Sequence, residues 1–321
     1  MKTVVVTGAG GYVGGQTAIY FHDQGWNVIG IDNQHPPKHL AQSTYFSKFY
    51  VGPFDSKDAL ELIKNSNPDA IVHTAGTSLV GPSKRDPRSY YQNNFVATKT
   101  LVEYLLDNNI KTHLIFSSSA AAYGEPIMPP CKEEDPPLPL SPYGESKLIT
   151  EMMLNSYANA YDLDVVIFRY FNVCGADSQC RHGQAPSATH IIARVLEALR
   201  DNGDIKINGQ DYATPDGTCI RDYVHVEDIA RAHLLAAEQK CNGVYNLGTG
   251  TGFSNLQILN TALEIANKPD YPIGWQESRP GDPAVLVGSA EKFHSLTGWK
   301  PTYNLENIIQ HAWNWYTKND S

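Results

Sequence analysis

The chain has 321 residues, enough for one large or two medium domains around a substantial core. Lys+Arg number 25 against 34 Asp+Glu, and the resulting net charge of −9 argues against nucleic acid or an anionic membrane as partner. The five cysteines, Cys131, Cys174, Cys180, Cys219 and Cys241, are odd in number and form no CxxC pair, so neither a disulfide framework nor a bound metal is expected. The apolar run at the N-terminus is too short for a signal peptide, and no apolar run reaches bilayer length, so the expected location is the cytoplasm.

In chain order, Thr3–Val6 is a short β-branched run that ends in Thr7-Gly8-Ala9-Gly10-Gly11-Tyr12-Val13-Gly14. Residues 11–24 read as a helix and Asn27–Asp32 as a second strand. A strand, a glycine turn, a helix and a strand make the first half of a dinucleotide-binding unit. Gly8, Gly11 and Gly14 permit the tight turn, the approach of a pyrophosphate and the close packing of helix on sheet. The pyrophosphate then rests on the helix N-terminus. Asp32 ends the second strand, where a carboxylate accepts from ribose hydroxyls and repels a 2′-phosphate, so NAD is expected rather than NADP.

Further strands are expected at Tyr45–Val51, Ala70–Thr74, Thr112–Ser117 and Val165–Tyr170, and helices at 56–65, 88–108 and 142–161. Strands alternating with helices predict a parallel, doubly wound sheet. Ligands on such a sheet bind at the carboxyl ends of the strands, which brings Ser117-Ser118-Ser119 and Asn172 to the site. Ser119 is the chosen hydroxyl, placed past its strand, because it can both donate to and accept from a substrate oxygen. The proline-rich stretch from Glu125 to Pro142 is a loop that leads into the next helix.

That helix starts at Ser141-Pro142-Tyr143-Gly144-Glu145-Ser146-Lys147, where proline suits the first turn. Tyr143 and Lys147 are four residues apart and share one helical face. A nearby ammonium favours a phenolate. Lowering a phenol from a pKa of about 10 to about 7 takes roughly 4 kcal/mol of differential stabilisation. The pair is therefore an acid–base candidate.

These stretches, with Ala120-Ala121-Ala122-Tyr123-Gly124 after the serines, Arg169-Tyr170-Phe171-Asn172, the segment from Ala213 to Asp228 and Arg279-Pro280-Gly281-Asp282-Pro283, together resemble the UDP-glucose (UDP-galactose) 4-epimerase family of extended short-chain dehydrogenase/reductases. The resemblance covers essentially the whole chain. It implies that Tyr143 is the catalytic base, Lys147 its partner and ribose anchor, and Ser119 the third member. It adds Tyr12, Val13, Asn33, Ala75, Gly76, Asn94, Ser117 and Tyr170 to the NAD site. Asn172, His190, Ile191, Arg221, Arg279 and Asp282 would hold the UDP-sugar, with the arginines suited to bidentate phosphate binding. Leu286 falls at the family's gate on the sugar's 2-substituent.

Three positions depart from the family pattern. Gly52 is followed by Pro53 where an Asp often contacts adenine. Ser78 stands where a Lys is common, and Val173 where a Pro is common. Leu286 is neither a bulky Tyr nor a small residue, which leaves sugar breadth open.

The implied reaction is reversible inversion at carbon 4 of a UDP-hexose through a 4-keto sugar. The alternatives are a 4-epimerase of UDP-N-acetylglucosamine or of a UDP-pentose or uronate. A sugar-nucleotide 4,6-dehydratase needs an acidic pair after Ser119, where this chain has alanines, and a non-enzymatic regulator would typically lack the Tyr–Lys pair.

The expected architecture is α/β, a Rossmann-like doubly wound parallel sheet with a smaller α/β substrate-binding domain. Residues 1–173, plus about 224–250, would form the NAD-binding domain, because helix 227–239 leads into a strand at Val244–Leu247. Residues 174–223 and 251–321 would hold the UDP-sugar, with helices near 188–200, 254–267 and 304–318. The helices at 88–108 and 142–161 suggest a homodimer, as in the family.

Overall fold

The computed structural model describes residues 1–126, 128–187, 189–278 and 283–318. The strands and helices of the first part alternate, as the hydrophobic runs demand: β1 (Thr3–Thr7), α1 (Tyr12–Asp23), β2 (Asn27–Asp32), α2 (Lys38–Ala41), β3 (Lys48–Val51), α3 (Lys57–Ser66) and β4 (Ala70–His73). They continue with α4 (Val80–Arg85), α5 (Pro87–Tyr90), α6 (Ala97–Asp107), β5 (His113–Ser119), α7 (Pro142–Tyr161) and β6 (Val165–Tyr170). The later elements are β7 (Asn172–Cys174), α8 (Ile191–Asp201), β8 (Ile205–Asn208), β9 (Ile220–His225), α9 (Val226–Gln239), β10 (Gly243–Leu247) and β11 (Gly252–Ser254). They end with α10 (Asn255–Ile265), β12 (Ile273–Gln276), β13 (Val285–Leu286), α11 (Glu291–Thr297) and α12 (Leu305–Lys318).

A seven-stranded sheet of order β10-β6-β5-β4-β1-β2-β3 forms the centre. All of its pairings are parallel. Strand order reverses between β1 and β4, the position at which such sheets open a crevice. Apart from the edge strand β3, the strands are buried on both faces, and Val4, Val5, Val6, Ile71, Val72, Leu114, Ile115, Phe116, Ile167 and Phe168 are fully inaccessible. Continuous apolar runs of this kind are what helices covering both faces of a parallel sheet require. β10 pairs with β6, so the chain does return to this sheet after residue 224.

The remaining strands form a smaller mixed group, with β7, β11 and β13 all beside β9, and a separate β8–β12 pair. A second apolar core lies among α8, α10 and α12, built on Leu196, Leu199, Ile258, Leu259, Ile308 and Ile309.

Two local differences from the sequence reading matter for the site. β5 runs through Ser119, which pairs with Tyr170 of β6, so Ser119 is the last strand residue rather than one past the strand. The expected helix over 88–108 is α5 and α6 joined by a π-helical stretch over Tyr91–Val96. A π turn adds a residue to the helical ring and redirects side chains, here bringing the buried Asn94 under the neighbouring loop. β3 also starts later than expected, at Lys48 rather than Tyr45.

Candidate active site

A cleft of about 1100 Å³ opens at the carboxyl ends of the central strands and continues between the two cores. One wall is the glycine turn. Gly8 has φ +72°, a left-handed conformation, and a Cβ there would lie 2.8 Å from the Ala75 nitrogen. A Cβ on Gly14 would lie 2.1 Å from the Gly8 carbonyl oxygen, so the turn and α1 close on each other only without side chains. α1 begins at Tyr12, after Gly11, with no side-chain cap and no acidic residue in its first turn. Gly11, Tyr12, Val13 and Gly14 line the cleft, so the N-terminus of α1 opens onto it, as a pyrophosphate requires. This donor set fits a dinucleotide. Asp32 stands beside the turn and accepts from the Gly10 and Gln34 nitrogens, both at 3.0 Å.

The opposite wall is β5 and α7. Ser141 caps α7 by accepting from the Gly144 nitrogen, and Pro142 fills its first turn. Tyr143 and Lys147 then both point into the cleft and both are buried. Ser119 hydrogen-bonds the Tyr143 phenol. The Lys147 Nζ donates to the Ser117 carbonyl at 2.8 Å and lies over the Phe116 ring. It also sits beside Gly76, where a Cβ would approach it to 3.4 Å.

Burial adds to the charge argument that the Tyr143–Lys147 spacing carries. Burial pushes the phenol above its ordinary value, and the Ser119 hydrogen bond works against that. Burial pulls the Lys147 ammonium down to about 8, with the Glu151 carboxylate opposing it. Both groups are desolvated, so a proton on either is easily redistributed by a charged ligand.

Among the cofactor candidates, Gly8, Gly11, Tyr12, Val13, Gly14, Gly76, Ser117, Tyr143, Lys147 and Tyr170 line the cleft. Tyr12 donates to the Gly175 carbonyl at 2.7 Å and so fastens α1 to the loop after β7. Ala75 follows β4 and packs against Gly8, while Asn33 lies exposed after β2. Asn94 lies behind the wall: its amide donates to the Thr77 carbonyl and the Ser146 hydroxyl, and its carbonyl oxygen accepts from the Thr77 nitrogen. Its two amide protons are thus divided between the turn at Thr77 and Ser146 of α7.

Among the substrate candidates, Asn172 starts β7 and lines the cleft with His190, Ile191, Arg221 and Leu286. Arg221 and Leu286 are direct neighbours in the β9–β13 register. Arg221 is buried and donates to the Ile220 carbonyl at 2.7 Å. Arg279 and Asp282 lie outside the described residues. The cleft also takes in Lys84 and Arg85 of α4, Asn208 of β8, Asn255 of α10 and Tyr316 of α12. No motif marks these in the sequence, because each comes from an amphipathic element whose inward end is set by packing.

A buried polar layer supports β5 from below. Ser118 donates to Glu151, which is paired with Arg169 at 2.7 Å. Arg169 lies over the Tyr123 ring, whose hydroxyl donates to Asn246 at 2.8 Å.

The NAD dependent epimerase/dehydratase family model matches residues 4–248. The chain is 41% identical to the UDP-glucose 4-epimerase of Halalkalibacterium halodurans, over 98% of this chain and 95% of that protein. It is 39% identical to that of Lacticaseibacillus casei, over 98% and 96%. Its fold is similar to the crystal structure of UDP-glucose 4-epimerase from Bifidobacterium longum in complex with NAD+ and UDP, with a TM-score of 0.92 and 34% identity over 99% of each chain.

Proposed function

This chain belongs to the NAD dependent epimerase/dehydratase family, and from that premise we propose that it interconverts UDP-glucose and UDP-galactose by inverting carbon 4 of the sugar. The observation that carries the reading is one cleft that joins an uncapped glycine-turn helix to the Ser119–Tyr143–Lys147 group. Bound NAD supplies the reversible oxidant at carbon 4, and its cationic ring favours the Tyr143 phenolate. Tyr143 takes the proton of the 4-hydroxyl and later returns it. Ser119 holds that hydroxyl in line and steadies the phenolate by donating to it. Lys147, fixed by the Ser117 carbonyl, keeps a positive charge near the phenol and donates to the cofactor ribose.

Asp32 takes the adenosine ribose hydroxyls, and the α1 N-terminus takes the pyrophosphate. Arg221 binds the substrate diphosphate, and on the resemblance alone Arg279 and Asp282 share in holding the diphosphate and the uridine ribose. Inversion requires a sugar that can turn while its nucleotide stays fixed. The cleft supports this arrangement, with Arg221 on the nucleotide side and the neutral Leu286 and Asn172 beside it. The alanines after Ser119 offer no acid–base group for the elimination that a 4,6-dehydratase performs.

The same reading makes residues 1–173 and about 224–250 the NAD-binding domain, and 174–223 with 251–321 the UDP-sugar domain. It also includes a cytoplasmic location and a homodimer through the helices expected at 88–108 and 142–161. Exposed Val96, Ile149 and Met152 on those helices support the dimer. Among the described residues no helix is long and apolar enough to cross a membrane.

The test is incubation of the purified protein with UDP-galactose, UDP-N-acetylgalactosamine and UDP-arabinose without added NAD. UDP-glucose is expected from the first. Product from none of them rejects an epimerase.

A further inference from the structure

Tyr170 lines the cleft from the end of β6, and behind it runs a chain of hydrogen bonds that the proposed chemistry does not use. The Ser117 hydroxyl meets the Tyr170 hydroxyl at 2.7 Å. The Tyr170 hydroxyl meets His233 Nε2. His233 Nδ1 meets the Thr17 hydroxyl at 3.0 Å. His233 belongs to α9 and Thr17 to α1, and both are fully buried. The chain therefore links four elements: β5, which presents the Lys147 anchor, β6, α9, and the helix that follows the glycine turn.

We propose that His233 is a positioning residue for the cofactor end of the cleft, acting through Tyr170 and Ser117. A neutral imidazole has one donor and one acceptor nitrogen, so one choice of tautomer sets the direction of every bond in the chain. The phenol is the stronger acid of the two hydroxyls and the imidazole nitrogen the strongest acceptor present. Tyr170 therefore donates to Nε2, Ser117 donates to the Tyr170 oxygen, and Nδ1–H donates to Thr17. Burial, which holds the imidazole neutral and its pKa down to about 3, keeps this order over the working pH range.

The consequence lies at the cleft surface. The Ser117 proton points inward, so Ser117 presents only lone pairs to a ligand. The Tyr170 ring cannot swing, because its hydroxyl is held on both sides. The glycine-turn helix and the Lys147-bearing wall are thus tied to one buried side chain. Preorganisation of this kind acts on affinity and geometry rather than on the proton transfer itself.

The inference rests on the reading of this cleft as an NAD site. The experiment is a double-mutant cycle of His233→Leu and Tyr170→Phe, read by NAD affinity on stripped protein and by NAD retained on purification. Each single change is expected to weaken NAD about tenfold, the effect of one lost hydrogen bond at the upper end of its usual range. The double variant should be no weaker than the poorer single, and His233→Gln, which keeps a donor and an acceptor, should recover most of the loss. Independent, multiplying effects would overturn the inference. So would a His233→Leu protein that melts lower but binds NAD normally. If His233→Leu does not fold, ¹⁵N spectra of the wild-type histidines decide: His233 should be a single neutral Nδ1–H tautomer, and titration near its ordinary value of about 6.5 would overturn it. Wild-type protein that binds no NAD would instead refute the site assignment itself.

Discussion

Replacing Lys147 by Met should separate its structural cost from its catalytic use. The ammonium is buried, and its pKa falls from 10.5 to about 8. A fall of that size means the charged form is disfavoured in the fold by about 3 kcal/mol. Below about pH 8 both the folded and unfolded chains hold the proton, and the full penalty is present. As pH rises past 8 the folded chain loses its proton first, so the penalty is relieved, and the relief is complete only near 10.5. Between about pH 7 and about pH 9.5 the wild type therefore gains about 2 kcal/mol from this one group.

Met of similar length has no charge to bury, so it removes the penalty of about 3 kcal/mol at neutral pH and with it the pH-dependent gain, but it leaves the Ser117 carbonyl without its donor, at about 1–3 kcal/mol. The two effects offset each other at neutral pH, so the variant should fold with near-normal stability while turnover collapses. Urea denaturation of cofactor-stripped wild type and Lys147→Met at the two pH values measures the difference of differences, which cancels every other titrating group. Identical pH dependence in the two proteins would refute the reasoning, because it would mean that the ammonium is solvated.

Tyr143→Phe should keep the fold and NAD binding but lower kcat by about 10²–10⁴-fold, the usual contribution of a positioned acid–base group; near-normal turnover would remove Tyr143 from that role. Ser119→Ala removes the bond that lowers the phenol's pKa, so the basic rise in the kcat profile should move to higher pH, while a profile that only scales down would assign Ser119 to binding. Gly14→Ala places a methyl 2.1 Å from a backbone oxygen that no side-chain rotation relieves. It should abolish NAD retention and lower Tm, and normal NAD content in that variant would contradict the turn geometry.

Much of the nucleotide-binding half was legible in the sequence because its signals are local. The glycine turn, the β-branched runs of β1 and β2, and the Ser141-Pro142 start of α7 each fix a conformation within a few residues. The Tyr143–Lys147 spacing alone put both side chains on one face. The short strands β8, β9, β11, β12 and β13 were not read. Their pairing partners are distant, and four residues of alternation such as Ile205–Asn208 carry little signal without the neighbouring strand. The π turn at Tyr91–Val96 was invisible because its sequence is compatible with an ordinary helix. The burial of Tyr143 was not legible for a related reason. Burial of the phenol and the turn of Lys147 toward the Ser117 carbonyl are properties of the packed cleft, not of an i, i+4 pair. His233 sits in an ordinary-looking helix, and only the packing of α9 on α1 and β6 shows what it touches.

The central claim is that carbon 4 is oxidised and restored within one closed site, with Tyr143 handling the hydroxyl proton. UDP-galactose carrying deuterium at carbon 4 tests it most directly, incubated in ordinary water with enzyme and no added NAD. The UDP-glucose formed should retain the deuterium at carbon 4. Loss of label to solvent, or no UDP-glucose at all, would contradict the account.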